Sequence, residues 1–266
     1  MPATALIYVG GAAFLALLVL LAPRVRTVLI EESRALWSPA FRWRLAGALA
    51  GFLVAGVAYY QGLSRSGRVA EYVFLTRLDW VIQAPVAILL LKEPWTRAGL
   101  LGGAIALAGG LVLAWTGSIG ASGFAAAALY IIASMIGYVC ATPVTAARAF
   151  AGAGTLTVWR HGINTAGFVL LALPTWPAGG VPADRHTILL VCAGAIVIVA
   201  LFLLRFAALT RIPLWVLSAQ APVQAAVAVT ASWLTEGRLP MTTLLAIGMV
   251  VFGEYVVATR RPTSVS

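Results

Sequence analysis

The stretch FLTRLDWVIQAP, residues 74–85, carries Arg77 and Asp79 inside an otherwise apolar run. Helical side chains two residues apart point about 200° away from each other, so these two charges cannot neutralise one another. A charge at the centre of a membrane helix costs about 2.5–3.5 kcal/mol and usually faces a cavity or a partner. We interpret Arg77 as a candidate site for a carboxylate and Asp79 as one for an amine or a coupling proton. The alternative is that both are packing devices.

A second polar pair, Arg160 and Asn164, is spaced by four residues and therefore shares one face of a helix. Arg160 lies about 9 Å into its apolar run at 1.5 Å per residue. This pattern favours a polar cavity that holds an anion, and the alternative is an arginine bonded to carbonyls at a helix end. Arg205, in contrast, lies near the end of its run, where its side chain can extend to lipid headgroups.

Aromatic and amide side chains at a similar depth are candidates to hold the apolar body of a ligand. They are Tyr60, Phe74, Tyr138, Trp215 and Gln220. Most aromatic residues of membrane helices pack against neighbours or form interfacial belts, so packing is the alternative for each of them.

The sequence contains no constellation typical of an enzyme or a metal site. His161 and His186 stand in different segments, and neither an HExxH nor a GxSxG motif is present. Cys140 and Cys192 form no CxxC pair, so no disulfide, zinc site or cofactor is predicted. The net charge of +10 is spread over loops, which argues against a nucleic-acid surface.

Long apolar runs must position the candidate groups. The 266 residues are 62% hydrophobic and only 10% charged, which is typical of an integral membrane protein. A bilayer core takes about 20 helical residues to cross. Nine runs have that length: 4–22, 45–63, 71–91, 98–116, 122–142, 154–174, 187–207, 213–233 and 241–258. We therefore predict an all-α, polytopic membrane bundle with nine spans.

Basic loop residues predict the orientation of these spans. Alternate loops and the C-terminal tail together hold eleven Lys and Arg residues, whereas the opposite loops hold four. The positive-inside rule places the C-terminus in the cytoplasm and the N-terminus outside the cell inner membrane. The N-terminal run lacks a basic start and is interpreted as a retained span. The loop 23–44 is basic and partly apolar, so it suits an amphipathic surface helix, with a solvated linker as the alternative.

The chain resembles itself at a shift of 143 residues. Residues 59–83 then lie over residues 202–226, and Glu93 lies over Glu236. The two copies are five spans apart, so they would cross the membrane in opposite directions, as in transporters with inverted repeats. We predict a first repeat at 1–116, a second repeat at 122–259 and a tail at 260–266.

Small residues recur every four positions in the fourth run, at Ala98, Gly102, Ala106 and Gly110. Such a stripe lets another helix approach closely. The partner is either a helix of the same bundle or a second copy of the chain in a homodimer.

Two stretches of the sequence resemble a known family. YYQGL and FAALT each end a run, and each is followed by a polar turn, a further run and a glutamate turn. Residues 59–112 and 202–257 are similar in this respect to the repeat ends of the drug/metabolite transporter superfamily, in its EamA-like branch, and residues 130–174 resemble the opening of its second repeat. The resemblance implies export or uptake of metabolites such as amino acids.

The chain also departs from that family. The family usually has ten spans in two sets of five with both termini in the cytoplasm, whereas we expect nine here, without the first span of the first repeat. Tyr8 falls near the position where the resemblance implies an arginine, and Asp79 stands where the second repeat has Pro222.

We therefore expect a secondary transporter that moves a small organic metabolite by alternating access, without enzymatic activity. The resemblance and the charges favour binding at the midplane, between the third and eighth spans, with help from the sixth and seventh. The expected partners are this small molecule and membrane lipid. The alternative is a non-transporting membrane protein, either an assembly subunit or an intramembrane lipid-modifying enzyme.

Overall fold

The computed structural model describes residues 2–65, 69–76, 79–116, 121–177, 184–219 and 241–259. Every regular element within these residues is helical, as the composition predicts. The α-helices are α1 Pro2–Leu21, α2 Pro23–Leu36, α3 Arg42–Arg65, α4 Val69–Thr76, α5 Trp80–Leu90, α6 Arg97–Thr116, α7 Ala121–Ala172, α8 Arg185–Leu209, α9 Leu214–Ala219 and α10 Met241–Thr259. A 3₁₀ turn at Leu173–Thr175 follows α7.

Four stretches in the described part of the chain are long and apolar enough to cross a bilayer. They are Pro2–Leu21, Arg42–Arg65, Ser122–Arg148 and Arg185–Leu209. In a bilayer a helix satisfies all its own backbone hydrogen bonds, which is why such sequences fold into spanning helices. These helices indicate a multi-pass membrane protein.

Two of the predicted runs are described only in part. The third run corresponds to α4 and α5, and residues 77 and 78 between them lie outside the described residues. The eighth run begins with α9, and residues 220–240 are likewise not described.

The basic loop 23–44 contains α2, which confirms the helical alternative over Pro23–Leu36. Pro23 occupies the first turn, where its missing N–H costs no hydrogen bond. Glu32 of this helix forms a two-pronged ion pair with Arg148, with nitrogen–oxygen distances of 2.7 and 2.9 Å. The loop is therefore anchored on α7.

Helix α7 is helical throughout its 52 residues, yet it folds back on itself. Tyr138 and Arg160 are 22 residues apart, about 33 Å along a straight helix, but their side chains are hydrogen-bonded at 3.1 Å. The bend lies near Gly152, where a Cβ would sit 2.6 Å from the Cβ of Arg148 and 3.6 Å from the carbonyl oxygen of Val144. Here the sequence predicts two spans with a loop between them, and in the structure the short connection is assigned to the helix as well.

The chain divides into two compact units. Unit 1 contains residues 1–60 and 136–211, and unit 2 contains residues 61–135 and 212–266. Each unit combines helices from the first and the second predicted repeat.

Glycine contacts give the direction of α1 in unit 1. A Cβ on Gly194 would lie 3.3 Å from the Ile7 side chain, and one on Gly11 would lie 3.2 Å from Val199. Four residues forward along α1 therefore match five residues forward along α8, so the two helices run parallel. Gly11 also meets His161, whereas Thr165 bonds the carbonyl of Tyr8. Helix α1 is therefore antiparallel to the second half of α7.

The direction of α3 follows in the same way. Gly47 approaches Cys140, and Gly137 approaches Phe52. Helix α3 is thus antiparallel to the first half of α7. Because α7 reverses between its halves, α3 runs parallel to the second half and antiparallel to α1 and α8.

In unit 2, α6 and α10 are in close antiparallel contact. A Cβ on Gly102 would lie 2.6 Å from the carbonyl oxygen of Gly253, and one on Gly109 would lie 2.7 Å from that of Ala246. Seven residues forward along α6 therefore match seven residues backward along α10. The predicted stripe of small residues packs within the bundle at Gly102 and Ala106, which both meet Gly253.

Candidate functional site

The arginine of the sixth predicted span, Arg160, is surrounded by aromatic rings in unit 1. Its guanidinium carbon lies 3.9 Å from the ring centroid of Phe202 and 4.0 Å from that of Phe52. Its Nη1 donates a hydrogen bond to the Tyr138 hydroxyl at 3.1 Å. The reversal of α7 brings Tyr138 to Arg160, and the faces of α3 and α8 supply the two rings. We call these four residues the Arg160 cage.

The Arg160 cage contains a cation with no carboxylate partner among the described residues. The Nε of Arg160 is buried and has no hydrogen-bond partner in that part of the chain. Two carboxylates of unit 1 are used elsewhere, since Glu32 pairs with Arg148 and Asp184 caps the first turn of α8 through the Thr187 N–H at 2.7 Å. That backbone hydrogen bond lowers the pKa of the Asp184 carboxyl.

Asn164 lies one turn after Arg160 on the same face of α7. Its side chain is 1% exposed, and neither amide atom has a hydrogen-bond partner within the described ranges. Each buried polar group without a partner costs about 1–3 kcal/mol. The amide faces Gly56 of α3, where a Cβ would lie 3.7 Å from Nδ2. Arg160 and Asn164 therefore place two hydrogen-bond donors, Nε and Nδ2, and one acceptor, Oδ1, side by side without partners in the described part of the chain.

His161 follows Arg160 and is buried against α1. Its Nε2 lies 2.8 Å from the carbonyl oxygen of Tyr8, and its ring stacks on the Tyr8 ring with centroids 5.0 Å apart. Since a carbonyl only accepts, Nε2 is the donor in this contact. Nδ1 has no partner in the described part of the chain.

Tyr60 belongs to an aromatic cluster next to the cage. Its ring is edge-on to Phe168 at 5.2 Å and to Tyr8 at 6.4 Å. Phe202 joins this cluster to Arg160, because the same ring contacts Tyr8 at 6.5 Å. Tyr60 thus lies near the cage, two rings away from the cation.

The position of Arg205 does not fit its interpretation as an interfacial charge whose side chain extends to the lipid headgroups. Its guanidinium carbon stacks 4.3 Å above the ring of Tyr138, and two of its nitrogens are buried. Tyr138 therefore contacts two cations: its hydroxyl accepts a hydrogen bond from Arg160, and its ring face contacts Arg205.

A separate polar cluster surrounds Asp79 in unit 2. Asp79 is fully buried, and its Oδ2 accepts a 3.0 Å hydrogen bond from Gln83 Nε2. Gln83 Nε2 also donates to Ser134 at 3.4 Å, and Gln83 Oε1 accepts a hydrogen bond from Ser218. All four residues are buried, so this amide is held in one orientation. The contact of Gln83 with Ser218 joins α5 to α9, which belong to the third and eighth predicted runs.

Trp215 is committed to packing between α9 and the start of α6. Its indole N–H donates to the carbonyl of Pro94 at 2.8 Å, and its ring meets Gly99. The Glu93 carboxylate accepts hydrogen bonds from the backbone N–H groups of Leu214 at 2.8 Å and Trp215 at 3.2 Å. Burial nevertheless raises the pKa of Glu93, because the loss of solvation outweighs these two bonds.

Three of the nine predicted site residues are not located at the side-chain level. Arg77 and Gln220 lie outside the described residues, and only the backbone of Phe74, in α4, is described. Of the other six, the structure brings together Arg160, Asn164, Tyr138 and Tyr60 in unit 1 and places Asp79 and Trp215 in unit 2.

Sequence reasoning missed the partners of these groups. Gln83 has a local signal, since it follows Asp79 by one helical turn. Phe52, Ser134 and Ser218 have none, because they come from other helices. Within the described ranges, no three His, Cys, Asp or Glu side chains are grouped to hold a metal ion.

Comparisons with known proteins define the fold only. No family model matches the chain, and no curated protein matches it. Thirteen chains of solved structures match. One crystal structure aligns over 97% of this chain and 89% of its own, with a TM-score of 0.69 and 19% sequence identity. At this identity the likeness shows a shared fold and does not assign an activity.

Proposed function

We propose that the protein is a secondary transporter that moves a small, amino-acid-like metabolite across the membrane by alternating access. The observation that carries this proposal is the Arg160 cage, a cation without a described carboxylate partner beside the unpaired amide of Asn164. A charge kept in a membrane bundle at such a cost is typically used for a ligand or an ion.

The geometry of Arg160 favours a carboxylate ligand. Nη1 is used by Tyr138, so the edge formed by Nε and Nη2 remains for a carboxylate that accepts two parallel bonds. The Asn164 amide lies on the same face and can donate to the ligand through Nδ2 and accept an ammonium proton through Oδ1. Rings on several sides exclude water and suit the apolar part of the molecule.

The Asp79 cluster supports proton coupling in this proposal. Asp79 is a buried carboxylate that accepts a hydrogen bond from an amide, and ionisable groups inside membrane bundles are typically used for proton or ion transfer. Protonation would alter the hydrogen bond from Gln83, and Gln83 reaches α9 through Ser218. The proton state of Asp79 is thereby linked to the packing of two helices. Arg77 and Gln220 remain proposed ligands, and Trp215 positions α9.

The directions of the helices support nine alternating crossings. In unit 1, α1 and α8 run one way and α3 the opposite way, and the two halves of α7 are opposed. In unit 2, α6 and α10 are opposed. Each of these relations is what nine consecutive crossings require. If the N-terminus is outside, a reporter active only in the cytoplasm should work after Ser266 and fail before Met1.

The same directions support an inverted repeat. A shift of 143 residues carries the bounds of α3 to 185–208 and those of α6 to 240–259, and the observed helices are Arg185–Leu209 and Met241–Thr259. The members of each pair, α3 with α8 and α6 with α10, are antiparallel. A repeat related by an axis along the membrane normal would keep them parallel.

A ligand screen in detergent tests the proposal. Amino acids and small organic acids that bind the folded protein should raise its melting temperature, and their amides, which lack the carboxylate, should not. The best carboxylate should then enter reconstituted vesicles that contain the parent protein, and Arg160→Gln should abolish both responses. Binding without any flux would favour the non-transporting alternative, and no response to any carboxylate would remove the assigned substrate class.

A further inference from the structure

A groove of about 650 Å³ in unit 1 lies apart from the Arg160 cage. It is lined by α1, α2, α8 and the second half of α7, with Leu15, Leu18, Val28, Gly154 and Leu203 among its walls. Its volume is that of a typical small-molecule pocket. The groove begins at the corner between α1 and α2 and follows α8 from Ile196 to Leu203, about 10 Å.

The walls of this groove are almost entirely apolar. Its two threonines use their hydroxyls within α7, since Thr155 donates to Ala151 at 3.0 Å and Thr157 donates to Ala153 at 2.9 Å. The single charged residue of the lining is Arg24, at the start of α2. A suitable occupant therefore has a long apolar body and one anionic group at its end.

The start of α2 also favours an anion. Its first turn contains no acidic residue, and Ala22 at the N-cap has no side chain to bond the first N–H groups. The positive end of the helix and the guanidinium of Arg24 thus lie together at one end of the groove. Arg24 forms no ion pair with any described carboxylate.

We propose that the groove binds one acidic phospholipid, with an acyl chain between α1 and α8 and the phosphate at Arg24. Bilayer lipid is the solvent of these helices, so an open apolar groove between them is filled by acyl chains. Arg24 binds the phosphate through charge-assisted hydrogen bonds. It adds selectivity because the choline cation of a zwitterionic lipid neutralises the phosphate, whereas an acidic lipid keeps a net negative charge for the guanidinium. One basic residue near an anionic lipid surface contributes about fivefold in affinity.

Native mass spectrometry of the delipidated full chain tests the headgroup. Phosphatidylglycerol and phosphatidylcholine with identical chains are added in equal amounts, and the ratio of retained lipids is measured. The parent should prefer phosphatidylglycerol, and Arg24→Gln should lower this preference about fivefold. Arg26→Gln removes the same charge from the same helix without altering the groove lining, and it should leave the ratio unchanged. An equal effect of the two substitutions overturns the site, because it indicates attraction to a charged surface in general.

A second pair of variants tests the acyl chain. A Cβ on Gly154, which lines the groove, would meet nothing within 4 Å, and the same is true of Gly162, which does not line it. Gly154→Leu should therefore fold, fill the groove and reduce the retention of both lipids, whereas Gly162→Leu should retain them as the parent does. Unchanged retention in Gly154→Leu overturns the proposal. Loss of a dimer peak in that variant would do so too, since it would show that a second copy occupies the groove.

Discussion

Replacing Arg160 by methionine should leave the protein about as stable as the parent while it removes binding of the carboxylate ligand. The guanidinium gains about 2 kcal/mol from each of the two closest rings and about 1.5–3 kcal/mol from its hydrogen bond to Tyr138. Against this stands the loss of hydration of a partly buried cation, which costs up to several kcal/mol after relaxation. These terms nearly cancel, and methionine fills a similar volume without the hydration cost.

Thermal unfolding in detergent measures this balance. A change of 1 kcal/mol shifts the melting temperature of a chain of comparable size by about 2–4 °C, so Arg160→Met should stay within about 4 °C of the parent. Arg148→Met is the matched control. It leaves the Glu32 carboxylate, whose side chain is only 14% exposed, without its partner, and it should therefore lower the melting temperature more than Arg160→Met does.

The reverse order of stabilities would refute the reasoning. If the melting temperature of Arg160→Met were well below that of Arg148→Met, Arg160 would be a structural element that holds the aromatic rings together. If Arg160→Met kept both its stability and its affinity for the carboxylate, the ligand would bind elsewhere.

Three further predictions concern unit 2. Asp79→Asn should insert and melt like the parent but lose most of its flux and the pH dependence of that flux; parental flux in vesicles would exclude Asp79 as the proton site. Because burial raises the pKa of Glu93 above its ordinary value of 4.5, the stability that its protonated form contributes is fully present below pH 4.5 and is lost as the pH rises through the folded-state pKa. The melting temperature of Glu93→Gln should therefore fall less with rising pH than that of the parent, and an equal or steeper fall would contradict the burial argument. Gly253→Leu should separate α6 from α10 and destabilise the protein by about 1–3 kcal/mol, whereas Gly248→Leu in the same helix, where a Cβ meets nothing within 4 Å, should melt like the parent.

Helix positions could be predicted from the sequence because each depends on local apolar content. The predicted runs 45–63 and 187–207 lie inside α3 and α8, since about 20 apolar residues have few stable conformations in a bilayer other than a helix. The reversal of α7 could not be predicted as a helical turn. Gly152 and Gly154 are poor helix formers and favour a loop, whereas the bend in the structure depends on contacts between the two halves, such as that of Tyr138 with Arg160.

The candidate site was predictable only through its charges. Arg160 and Asn164 share a face at a spacing of four residues, and that spacing is visible in the sequence. The rings that surround Arg160 come from Phe52 and Phe202, on helices far apart in the chain, and aromatic residues are too common in membrane helices to single these out. Gln83 was within reach, because it follows the buried Asp79 by one turn.

The way Arg160 is held has a mechanical consequence. The faces of Phe52 and Phe202 attract a cation without fixed bond angles, so α3 and α8 can slide past the guanidinium by a fraction of an ångström at little cost. The two parallel hydrogen bonds between Arg148 and Glu32, in contrast, fix both distance and angle and clamp α2 to α7. Unit 1 therefore contains one contact that fixes the relative position of two helices, at Arg148 and Glu32, and another that lets two helices shift, at Arg160.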